Sequence, residues 1–118
     1  MTLRPLFAAL AVMALAGCAA DPAPNEQLRL TERALEQAAA VGATTEDVPE
    51  LKLAEGKFAQ AQADMTTQAF KDARMRAEQA ELDARLAEAK VLTLKSQEKL
   101  NVLNTRITRL RKQLGDAQ

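Results

Sequence analysis

The sequence has no histidine, tryptophan or tyrosine, a single cysteine, three phenylalanines, four glycines and four prolines in 118 residues. Without histidine it lacks the side chain that most often serves as general acid–base and metal ligand near neutral pH. One cysteine, Cys18, excludes a disulfide within the chain, and Ser96 is the only serine, so nucleophiles are scarce too. Charge of one sign is also missing. Sixteen basic residues balance sixteen acidic ones, which removes the overall basic footprint expected of a nucleic-acid binder. The longest apolar run, Leu6 to Leu15, is too short for a bilayer-spanning helix of about 20 residues. No proline follows Pro49, and Gly56 and Gly115 are the only glycines after it. Little there breaks a helix.

What is present is mostly Ala, Leu, Glu, Gln, Lys and Arg, all good helix formers. An all-α chain is expected, with no metal site and no small-molecule substrate. Its carboxylates are spread over helix surfaces, where Glu81 and Arg85 form an ordinary i,i+4 pair. An enzyme is therefore not expected.

The N-terminus has its own organisation. Arg4 supplies a positive charge, the apolar run follows Pro5, and the run ends in Leu15-Ala16-Gly17-Cys18, the pattern of a cleaved export signal. This arrangement resembles the lipobox of bacterial diacylglyceryl-modified lipoproteins. The resemblance implies cleavage before Cys18, leaving 101 residues, and a covalent lipid on Cys18, the only cofactor-like group expected. In enteric-type sorting an aspartate directly after the cysteine retains a lipoprotein in the inner membrane. Here Ala19 follows, which implies a lipid-anchored protein of the Gram-negative outer membrane, facing the periplasm. Residues 1–17 are thus read as signal, and 18–24 as the lipidated cysteine with a short tether stiffened by Pro22 and Pro24.

Residues 25–94 are read as a three-helix domain. Asn25 is a candidate N-cap, and Leu28, Leu35 and Ala38 form an apolar stripe widened by Leu30, Ala34 and Val41. Gly42 is a natural stop, giving a helix over 26–41. Asp47 with Glu50 reads as a capping box, with Pro49 in the first turn of a second helix. That helix carries Leu51, Ala54, Phe58, Ala61 and Met65. The next break, Asp64 to Thr67, has neither Gly nor Pro, so a turn and a continuous helix are both open.

From about residue 68 to 114 nothing interrupts a helix of about 70 Å. Ala73, Ala77, Ala80, Ala84, Ala87, Val91 and Leu94 recur in steps of four and three. A second series, read as starting beside the first, passes through Leu82, Leu86, Ala89, Thr93 and Ser96 and strengthens at Leu100, Leu103, Ile107, Leu110 and Leu114. Two short helices folded back on the third reach only to about residue 85 or 90. The expected architecture is an antiparallel hairpin or three-helix bundle, with the last helix protruding and 95–118 ending as a coiled-coil extension. A solvated tail is the alternative for that extension. Lys99, Arg106, Arg109, Arg111 and Lys112 make the tip basic. In a parallel homodimer Arg106 would meet Arg111 of the other copy, so the tip is expected to prefer an acidic or neutral partner to its own copy. The same basic residues could simply complement the negative end of the helix dipole.

Two resemblances bear on the domain. Leu53-Ala54-Glu55-Gly56-Lys57-Phe58 through Ala69-Phe70-Lys71-Asp72-Ala73 looks like one tetratricopeptide-type hairpin, a likeness of local packing only. More extensively, the Ala-rich first helix ending at Gly42, Pro49-Glu50-Leu51, Lys57-Phe58, and Ala73 through Ala77-Glu78-Gln79-Ala80 to Asp83-Ala84 resemble a family of small bacterial lipoproteins with an α-helical domain of unknown function. Members are often followed by an OmpA-like peptidoglycan-binding domain; here the sequence ends at Gln118, and no such domain carries over. Two roles are expected to compete: an envelope adaptor docking a protein partner through Leu100 to Leu114, or a binder of an anionic envelope polymer, peptidoglycan or lipid headgroups, through the basic tip.

Overall fold

The computed structural model describes residues 21–116. Within them the chain is all-helical: α1 Asn25–Ala40, α2 Pro49–Thr66 and α3 Phe70–Gly115, the last with 46 residues.

Asn25 does not cap α1. Pro24 takes the N-cap position without a side-chain cap bond, and its carbonyl accepts the Leu28 N–H at 3.1 Å, so the ladder starts one residue early. At the other end Gly42 adopts φ +91°. Its N–H reaches the Ala39 carbonyl at 2.9 Å, and the Ala43 N–H reaches that of Ala38 at 3.0 Å. This is a Schellman close, with Ala43 buried against Ala38.

The capping box at α2 does not form. Thr44 Oγ1 donates to Asp47 Oδ2 at 2.7 Å and accepts the Asp47 N–H at 3.1 Å. The Glu50 carboxylate is drawn across to Lys90 of α3. Val48 is the N-cap and Pro49 opens the helix. The second break is a real turn: Gln68 has φ 61°, its N–H donates to Met65 O at 3.2 Å, and the Ala69 N–H donates to Asp64 O at 2.9 Å. It is a second Schellman close, made without glycine.

The core is a seam of small side chains. Ala73, Ala77, Ala80, Ala84, Ala87 and Val91 are buried on one face of α3. Ala84 meets Ala34 and Ala54, while Ala87 and Val91 meet Ala38, Val48 and Leu51. Phe58 and Met65, expected in the α2 stripe, are only half-buried. Leu94, expected to close the seam, is 63% exposed. α1 has ended by that level, and Lys95 Nζ closes over its end by donating to the Val41 carbonyl at 2.6 Å. The largest side chain buried to below 2% exposure is Thr31. Its hydroxyl lies 2.9 Å from both the Gln27 and the Ala77 carbonyls, a close approach that alanine at 77 permits.

Polar pairs fix the directions. Asp64–Arg76, Lys57–Asp83 and Glu50–Lys90 climb α3 as they descend α2, so these helices run in opposite senses. Thr31, Ala34 and Ala38 meet Ala77, Ala84 and Ala87 in the same order, so α1 runs along α3. Beyond Val91 no residue of α3 is buried, and the remaining 24 residues extend about 36 Å at 1.5 Å per residue.

Candidate functional site: the outer face of the last helix

An α-helix turns about 100° per residue, so positions in alternating steps of four and three stay on one face. Leu100, Leu103, Ile107, Leu110 and Leu114 obey that spacing and are all exposed, from 39% at Ile107 to 71% at Leu114. The spacing continues without a slip back through Ser96, Thr93, Ala89, Leu86, Leu82 and Gln79 to Met75, and every one of these is exposed. With Leu100 at heptad position a and Leu103 at d, the buried alanines fall at b and f. The apolar series therefore lies opposite the alanine seam, not beside it: Leu82 is 67% exposed while Ala80 and Ala84 are at 0%. The series read from Leu82 onward extends back by Gln79 and Met75, a step that the polar Gln79 obscures in the sequence and the unbroken four–three spacing reveals. Val102 and Leu92 are further exposed apolar residues outside this series.

The five basic tip residues do not form one patch. Lys99 and Arg106 flank the apolar series on one side and Arg111 on the other, while Arg109 and Lys112 lie toward the opposite face of α3 at about 100° per residue. All are exposed, and none is paired with a carboxylate among the described residues. A shallow groove between Glu98, Lys99, Val102, Leu103 and Arg106 is mostly apolar.

Along the covered stretch of α3 the picture reverses. Arg76, Arg85 and Lys90 are held by Asp64, Glu81 and Glu50. Glu81 accepts from Gln27 Nε2 at 2.7 Å and from Arg85 Nη2 at 2.6 Å, and these bonds hold its carboxyl below the ordinary value. Lys90, with the backbone N–H of Glu50 itself, does the same for Glu50. These groups are structural pairs. Among the described residues no cluster of His, Cys, Asp and Glu is arranged to hold a metal ion, and no helix is long and apolar enough to cross a membrane. Leu15, Ala16, Gly17 and Cys18 lie outside the described residues.

An alanine-seamed domain of three helices, whose last helix continues alone with an apolar stripe, is the class this geometry defines. The chain belongs to the DUF4398 family, a domain of unknown function whose model matches residues 26–103. It is similar to a DUF4398 family protein from Pseudomonas aeruginosa PAO1 solved by crystallography at 2.47 Å, at 64% identity, covering 82% of this chain and 100% of that one with a TM-score of 0.79. No curated protein matches the chain.

Proposed function

We propose that this chain is a lipid-anchored periplasmic protein of the Gram-negative outer membrane that serves as a structural adaptor of the cell envelope through helix–helix contacts. One observation carries the reading. Leu100, Leu103, Ile107, Leu110 and Leu114 share an exposed stripe on a helix that continues past α1 and α2. Burying such a stripe returns about 25 cal/mol per Å² of apolar surface, and heptad spacing suits a helical partner. We read the three helices as an up–down–up bundle and the end of α3 as a coiled-coil segment. The Leu15-Ala16-Gly17-Cys18 sequence supports anchoring through lipid on Cys18. In a single anchored copy α1 then starts at the bilayer, and α3 carries its basic tip away from it. The absence of histidine and the single cysteine support a non-enzymatic role without cofactor, metal or nucleic acid.

The test is crosslinking in cells from a photoreactive residue at position 103, combined with membrane fractionation. A defined protein adduct in the outer-membrane fraction is expected. The protein found in the soluble or inner-membrane fraction removes the anchoring half of the reading, and no adduct at any position of the stripe removes the contact half.

The five unpaired cations favour a second reading, direct binding of an anionic envelope polymer. Replacing Arg106, Arg109 and Arg111 together by Gln would then abolish retention on wall fragments, and retention would fall with salt. Leu103→Asp with Leu110→Asp would leave that retention intact while abolishing the adaptor contact.

A further inference from the structure

We propose that the apolar face of α3 is covered by α3 of a second copy of this chain, running antiparallel and centred between Thr93 and Ser96. The inference deepens the helix-contact reading above by naming its partner, and it rests on that reading.

Register comes first. Reversing one helix sets each a position opposite a d position. With the centre between residues 94 and 95, Thr93 faces Ser96, Leu86 faces Leu103 and Leu82 faces Ile107. The polar layer meets itself and most large aliphatic layers meet one another, leaving Gln79 opposite Leu110 and the small Ala89 opposite Leu100 as the two mismatches. Sliding the pair by one heptad sets Thr93 against Leu103 and Ser96 against Leu100. Sliding it the other way sets Ser96 against Leu86 and Gln79 against Leu103. Of the two hydroxyls in the central layer, that of Thr93 already has a partner, since Thr93 Oγ1 donates to the Ala89 carbonyl at 2.8 Å, and it can accept from Ser96 of the other copy. Thr93 enters the interface without an orphaned donor.

Charge then selects the direction. A parallel, in-register pair brings each g residue near the e residue five places on in the other copy. The charged pairs so formed are Lys71 with Arg76, Glu78 with Asp83, Arg85 with Lys90 and Arg106 with Arg111; all four are like-charged, and in the last neither member has an ion pair among the described residues. The antiparallel pair instead lays the basic tip over the bundle half of the other copy. There Arg85 and Arg76, which come beside Arg106 and Arg111 of the other copy, are already held by Glu81 and Asp64. No two unpaired like charges then face each other beside the seam, as Arg106 and Arg111 do in the parallel pair.

The area suffices. Eight large apolar side chains of the face, from Met75 to Leu114, are 39–71% exposed. At about 100 Å² of open apolar surface each, one copy contributes about 800 Å², which is what each partner buries in a stable interface. The face is also clear of α1 and α2, which cover the alanine side. The two α1 starts lie at opposite ends of the pair, so lipid anchors in one bilayer would hold it along the surface, not upright.

The test uses the full-length chain bearing either Leu86→Cys or Leu103→Cys, with the unsubstituted chain, which holds only Cys18, as control. After mild oxidation a disulfide-linked dimer is expected when the two variants are mixed and not with either alone. Sedimentation of the unsubstituted chain is expected to give a dimer, whose dissociation constant rises about 100-fold or more in Leu103→Asp, with helicity retained. Disulfides in each variant alone would overturn the antiparallel arrangement. A monomer with no disulfide in any mixture would overturn the pairing altogether. In that case a foreign protein captured from position 103 would leave the adaptor reading standing, and no capture would end both.

Discussion

Gln68 occupies the left-handed position that glycine fills in the other Schellman turn of the chain. Its φ is 61°, against +91° at Gly42. For a residue with a Cβ that conformation costs about 1–2 kcal/mol, part of which glycine would give back as chain entropy in the unfolded state. Gln68→Gly is therefore expected to stabilise the fold by about 0.5–1 kcal/mol, read from urea or thermal unfolding. Gly42→Ala should do the opposite by a similar amount. A Cβ at Gly42 meets only Lys95 Nζ, at 3.5 Å, so the loss there comes from the backbone and not from a clash. Thr31 makes a different kind of residue-scale contribution. Thr31→Val keeps the shape and removes the one proton that its hydroxyl shares between two carbonyls, and should cost about 1 kcal/mol. Glu81 and Glu50 set an acid limit. Both are held below their ordinary value of 4.5, so the folded state binds these protons less readily than the unfolded one. Their stabilisation is full above about pH 5 and is lost as pH falls through the lowered values. A pH series of unfolding midpoints should be level above that point and decline below it, less steeply in Glu81→Gln.

At the scale of the element, α3 is two helices in one. From Ala73 to Val91 its fit depends on having almost no side chain: Ala84 is at 0% exposure against Ala34 and Ala54. Ala84→Leu must push α1 and α2 off the seam, and is expected to lose about 3 kcal/mol or more. Leu103→Ala, on the exposed stretch, should leave the unfolding of the monomer nearly unchanged. The contrast explains what could be read from the chain and what could not. Small residues at four–three spacing announced the seam, and Gly42 and Pro49 announced a helix end and a helix start, because in each case the residue type has few other uses. The turn at Gln68 was only half legible, since neither Gly nor Pro marks it. The Asp47 cap was misread because Thr44, three residues earlier, competes for the same carboxylate. Thr31 was missed because a hydroxyl inside an apolar stripe is recognisable as core only when the facing carbonyl is known. The five distal leucine-type residues of the candidate site were plain. Their continuation back to Leu82 was legible as well; only its last step, across Gln79 to Met75, was obscured by the polar residue, and its true side of the helix became visible only once the alanine face was seen to be covered.

For the whole molecule, these two halves imply two levels of stability. The covered half gains from buried seams, cross-helix pairs and two closed turns. Apart from Lys95 on the Val41 carbonyl, the last 24 residues of α3 have only bonds within their own helix, and an isolated helix of that length is near the margin in water. Amide hydrogens of residues 96–114 in the dilute monomer should therefore exchange far faster than those of 77–91, which open only with the bundle. If a partner helix covers the stripe, protection in 96–114 must rise with occupancy while that in 77–91 changes little, because the seam is already closed. For self-pairing the rise tracks protein concentration; for an envelope protein it appears only when that protein is added; and for a polyanion held by the tip it is largest around Arg106 to Lys112 and is reversed by salt. Hydrogen exchange resolved by residue thus distinguishes all three occupants. A uniform, concentration-independent protection along the whole of α3 would mean that the arm is held by something other than contact with a partner.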